Sequence, residues 1–152
     1  LAEAFARLEP ANAGAFAAAN RDFQAALKEK VEAWTKLLAP HQGTKVVTYH
    51  KSFDYLLDRF GLQLAGTIEP KPGIEPSPSH ITALIPRLKE QGVKVVLIED
   101  HRPAKTPRYV AEQAGATLVV LPHFPGGHKT SETYLEWMDH LIGELAAALR
   151  QP

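Results

Sequence analysis

Imidazole and carboxylate groups recur at four places along the chain: His50, Glu69, the run Glu99-Asp100-His101, and His123. Such groups suit Zn²⁺ or Mn²⁺ when three or four of them converge within about 2.0–2.2 Å of one point. Cysteine is absent, which excludes thiolate ligands, disulfides and a Cys nucleophile. Each residue also has a plainer use. A lone histidine at a strand end is commonly a hydrogen-bonded or surface residue. Glu69 and Glu99 could equally serve a helix dipole, a loop, or the N–H of a ligand imidazole. His41, His80, His101 and His140 read as solvated, and His128 lies in a Gly-flanked loop. Gly126-Gly127 lacks the spacing of a phosphate or dinucleotide cradle. Ser52 is close to His50, but no Gly-x-Ser-x-Gly elbow surrounds it. On residue types alone, metal binding is one reading among several.

The elements that must position these groups can be read in turn. Lys45 to Tyr49 is a short strand of β-branched and aromatic residues, which leaves His50 at its carboxyl end. Ser52 is expected to cap a helix over 53–60 that stops at Gly61. A strand around 62–68 leads to Glu69 and a Pro-rich loop. Ser77 and Pro78 open a helix over 78–91, closed by Gly92. Val93 to Ile98 is a continuous apolar strand, as in sheets covered on both faces, and puts Glu99 just past its end. A short helix from Thr106-Pro107 to Ala114 precedes a strand over 117–121, which carries His123 beyond it. Ser131 is expected to cap the last helix, whose apolar stripe includes Tyr134, Met138, Leu141, Leu145 and Leu149. The alternation predicts an α/β lobe over 41–152: a four-stranded parallel sheet with helices on both faces. In such sheets ligands collect at the carboxyl ends of the strands.

Residues 1–40 differ. They are rich in Ala, and Phe16, Phe23, Leu27, Val31, Trp34 and Leu38 form one helical stripe that Asn12 begins and Pro40 stops. About 26 residues at 1.5 Å each span ~40 Å, longer than the lobe that follows is wide. That helix reads as a strut between two bodies. Seventeen basic and seventeen acidic residues cancel, so no electrostatic case exists for nucleic acid or an acidic membrane. The chain opens inside a helix-like stretch without Met and is expected to be a piece of a longer protein.

Several segments together resemble the carboxyl-terminal lobe of the metal-binding solute receptors of zinc and manganese ABC importers. They are Val46-Val-Thr-Tyr-His50-Lys-Ser-Phe53, Gly66-Thr-Ile-Glu-Pro-Lys-Pro-Gly-Ile-Glu-Pro-Ser77, Val95-Val-Leu-Ile-Glu99, Ala111-Glu-Gln-Ala-Gly-Ala116 and Thr133-Tyr-Leu-Glu-Trp-Met138. Leu8 to Asn12 and the long helix are similar to the rigid helix that joins the two lobes in that family. The resemblance implies an absent amino-terminal lobe, a location in the periplasm or at the cell surface as a lipoprotein, and a membrane permease as partner. It implies binding of one divalent metal between lobes, without enzymatic chemistry. By the same resemblance His50 is a ligand, and imidazole there favours Zn²⁺ over Mn²⁺. Where the family usually has Asp, the chain reads Leu121-Pro122-His123-Phe124, so either His123 substitutes as the ligand or water completes the site, with Glu99 and Glu69 as supporting groups or further ligands. A stiff connecting helix implies release through small lobe movements or ordering of the 122–130 loop. The competing expectation is a stand-alone flavodoxin-like α/β domain with an enzymatic or regulatory role. A regulatory domain would need an acidic phosphoacceptor cluster at the ends of strands one and three, and strand one ends in His50.

Overall fold

The computed structural model of the chain describes residues 1–127 and 131–151. It divides into two compact units, Leu1–Thr35 and Lys36–Pro152. In the first, helix α1 (Ala2–Leu8) and a 3₁₀ turn at Pro10–Asn12 precede α2 (Ala13–Leu38), a helix of 26 residues whose last three belong to the second unit. Phe5 and Phe16 hold α1 to the start of α2, with ring centroids 5.6 Å apart. Along the expected stripe Trp34 and Leu38 are buried, while Phe23 stays 42% exposed. Among the described residues no helix is long and apolar enough to cross a membrane.

The second unit alternates strand and helix as expected: β1 (Lys45–Thr48), α3 (Asp54–Arg59), β2 (Gln63–Thr67), α4 (Pro78–Glu90), β3 (Val95–Glu99), α5 (Lys105–Ala114), β4 (Thr117–Leu121) and α6 (Tyr134–Leu149). All strand pairs are parallel, in the order β2-β1-β3-β4. Val47 and Val96, paired across β1 and β3, face the side where Ile81, Leu84 and Leu88 of α4 and Val110 of α5 complete one core. Val46, Val95 and Leu97 alternate to the opposite face and are equally buried, with α3 packed on β2 and α6 on β4.

Helix α4 begins as expected: the Ser77 hydroxyl accepts the His80 backbone N–H at 3.2 Å, and Pro78 fills the first helical position. Two caps differ from expectation. Ser52 caps nothing; it lies inside a 3₁₀ turn at Lys51–Phe53, and its hydroxyl donates to Glu99 instead. A buried carboxylate needs a donor more than an exposed helix start does. At α6 the cap is Thr133 rather than Ser131. Thr133 stands three residues before Glu136, which permits a reciprocal capping box.

Candidate metal site

The strand order reverses direction between β1 and β3, and the crevice at such a switch point is the ligand site of open α/β sheets. His50 emerges from β1 there, and Glu99 is the last residue of β3. Together with Ser52, Glu69, His101 and His123 they line one cavity of about 410 Å³. His50, Glu69, Glu99 and His123, singled out in the sequence, thus line one cavity.

A bulge sets the pairing of His50 with Glu69. Pairing of β1 with β2 runs from Lys45↔Gln63 to Val47↔Gly66, so β2 carries one extra residue. Without it His50 would stand opposite Ile68; with it the ladder continues through Glu69 N–H to Tyr49 C=O at 3.1 Å and brings Glu69 beside His50. The Glu69 carboxylate engages Nδ1 of His50 through Oε2, and its Oε1 accepts the Gly73 N–H at 3.0 Å. Gly73 has φ +78°, a turn conformation that lets the Pro-rich loop fold back to make this bond. The result is an imidazole whose Nδ1 is held and whose Nε2 is buried without a partner.

Glu99 is 1% exposed. Its Oε1 accepts the Ser52 hydroxyl at 2.5 Å, while its Oε2 is buried without a partner. Two orphaned polar atoms on one cavity, an imidazole nitrogen and a carboxylate oxygen, are the donor set a borderline divalent cation takes up. The local field agrees. Burial first, then the carboxylates of Glu69, Glu75 and Glu99, push the Tyr49 phenol above its ordinary value, against the opposing pull of Arg102.

His123 and His101, which also line the cavity, meet edge to face, with ring centroids 4.9 Å apart. The segment carrying His123 is tied down at three points: Trp137 Nε1–H donates to the Pro122 carbonyl at 2.8 Å, Gly126 N–H to the Ser131 carbonyl at 2.6 Å, and His123 N–H to Asp100 Oδ1 at 3.3 Å. His128, the other histidine of this loop, lies outside the described residues. Among the described residues, no group of three His, Asp or Glu stands close enough to hold a metal ion. Sequence reasoning missed Ser52 as the partner of Glu99 and the clustering of His101 with His123. Both contacts join residues remote in sequence, and only strand order and register announce them.

Fold and cavity together define a ligand-binding α/β lobe with a histidine–carboxylate crevice at its switch point. The same architecture occurs in the SBP FpvC of Pseudomonas aeruginosa, solved in complex with Ni²⁺ and with Mn²⁺. That protein is 30% identical at a TM-score of 0.81, over 98% of this chain and 56–57% of its own. Residues 1–148 match the family described as ZnuA, zinc-uptake complex component A, periplasmic, and the chain belongs to that family. Among curated relatives, the zinc-binding protein AdcA of Streptococcus pyogenes is 29% identical over 66% of this chain and 19% of its own length. The high-affinity zinc uptake system protein ZnuA of Paracoccus denitrificans is 29% identical over 74% of this chain and 34% of its own. The chain thus spans well under half of these curated relatives and a little over half of the solved structure. The family is one of metal-transport receptors, not of enzymes.

Proposed function

We propose that this chain captures a divalent transition-metal ion, zinc before manganese, as the carboxyl-terminal part of the extracytoplasmic receptor of an ABC importer. The buried, unpartnered Nε2 of His50 is the observation that carries this reading. Glu69 accepts the Nδ1–H, which selects the tautomer with its lone pair on Nε2. Zinc taken up there sits about 2.0–2.1 Å from the nitrogen. His123 supplies a second imidazole from the lining of the cavity, and Glu99 a carboxylate with one oxygen still free of partners. No bond is made or broken in the cargo; the step is exchange of water for protein ligands.

The remaining ligands and the cover over the cavity come from an amino-terminal lobe outside this sequence, and the membrane permease of the importer receives the ion. The relatives' names support zinc as cargo, and the imidazole-rich rim supports zinc over manganese. The protein works in the periplasm or at the cell surface as a lipoprotein. A competitive Zn²⁺ titration of this chain beside His50→Ala, repeated with Mn²⁺, tests the reading. A site that prefers Zn²⁺ and is lost in the variant is expected; binding as tight in His50→Ala as in the parent would overturn the assignment.

A further inference from the structure

We propose that the cavity takes its ion as a complex with a small carboxylate-bearing chelator, whose outer oxygens rest on Lys51, Lys71 and Arg102. This deepens the receptor reading and rests on it. The charge of the lining carries the inference. Besides its imidazoles, the cavity is lined by three cationic side chains, Lys51, Lys71 and Arg102, against two carboxylates, Glu69 and Glu99. With the imidazoles neutral, as metal ligands must be, the lining is net positive before any ion enters. A site for a bare cation is favoured by the opposite sign. The two carboxylates do not neutralise the three cations. Glu69 engages His50 and the Gly73 N–H, and Glu99 the Ser52 hydroxyl. Among the described residues, Lys51, Lys71 and Arg102 enter no ion pair.

The backbone sets each cation after a different strand. Lys51 opens the 3₁₀ turn that follows His50. Lys71 opens a turn closed by the Ile74 N–H on its carbonyl at 3.0 Å, and Gly73 within that turn is tied to Glu69. Arg102 ends a turn in which its own N–H donates to the Glu99 carbonyl at 3.1 Å. An anion that meets them therefore orders side chains on a backbone already in place. A guanidinium fork and two ammonium groups suit a polycarboxylate, which keeps one or two oxygens on the ion and presents the others outward. The volume agrees. A cavity of about 410 Å³ falls in the range of small-molecule pockets, about 300–1,000 Å³, whereas each water left on a bare ion takes about 30 Å³. Among the described residues no group of three His, Asp or Glu is close enough to hold a metal ion, so the chelator's oxygens occupy positions that this chain leaves open.

Equilibrium dialysis with radiolabelled citrate as the probe tests this. Citrate is expected to be retained by the chain with equimolar Zn²⁺ and not without it. Lys71→Gln and Arg102→Gln, both at exposed positions, are each expected to weaken that retention about 10-fold or more. Their affinity for Zn²⁺ without citrate is expected not to fall, because each substitution removes a positive charge from the cavity. No citrate retained with Zn²⁺, retention undiminished in both variants, or equal retention without the ion overturns the proposal. Retention of inorganic phosphate with Zn²⁺ in place of citrate overturns the carboxylate class. The receptor reading fails by a separate result: Zn²⁺ alone binding as tightly to His50→Ala as to the parent.

Discussion

His50 is held from one side only. Glu69 fixes Nδ1, the Gly73 N–H fixes Glu69, and the bulge in β2 brings Glu69 into line. Glu69→Gln keeps the acceptor for Gly73 but turns an amide N–H₂ toward Nδ1. The tautomer that satisfies that donor carries its proton on Nε2, the atom needed for the ion. Zn²⁺ affinity is expected to fall about 10- to 100-fold, read by competitive titration, with the imidazole ¹⁵N shifts of His50 reporting the tautomer change. Unaltered affinity and shifts would show that Glu69 does not orient this ring.

At the scale of single elements, α6 anchors the His123 loop through Trp137 and begins with a capping box. Thr133→Ala removes the hydroxyl that accepts the Glu136 N–H, and such a loss typically costs about 1 kcal/mol. The effect depends on pH. Hydrogen bonds from the Thr133 backbone and hydroxyl hold the Glu136 carboxyl below its ordinary value. A depressed carboxylate stabilises the fold above its unfolded pKa, and that contribution is lost as pH falls through the folded one. The stability gap between parent and Thr133→Ala is therefore expected to be widest near neutrality and to narrow in acid, as followed by thermal unfolding across pH. A gap that widens in acid would contradict the capping box.

For the second unit as a whole, the central strands β1 and β3 are buried on both faces, and its stability lies in the packing of helices against the sheet. Leu145 of α6 is completely buried, on the helix that packs against β4. Leu145→Ala is expected to cost about 2–5 kcal/mol, as for other buried leucines truncated in close-packed cores. Urea unfolding is the measurement, with the m-value unchanged. A cost below about 1 kcal/mol would mean that the site collapses around the smaller side chain. Loss of this packing would also release the Pro122 end of β4, since Trp137 on the same helix holds it.

The amino-acid sequence by itself determined the elements and the rim. Apolar periodicity marked each strand and helix to within a residue or two, because periods of two and 3.6 are local properties of the backbone. It also placed His50, Glu69, Glu99 and His123 at strand ends, where a parallel sheet gathers its ligands. The Thr133-x-x-Glu136 spacing of a capping box is equally a local property of the sequence, and Ser131, the expected cap, stands two residues before it. Strand order and register were decided only in three dimensions. The order β2-β1-β3-β4 put the switch point at His50 and Glu99. One extra residue in β2 chose Glu69 over Ile68 as its neighbour, and the Glu99↔Leu121 rung set His101 against His123. These outcomes depend on which strands lie side by side and on how each is slid along its neighbour. Both are settled by burial of whole faces, which no local stretch of sequence contains.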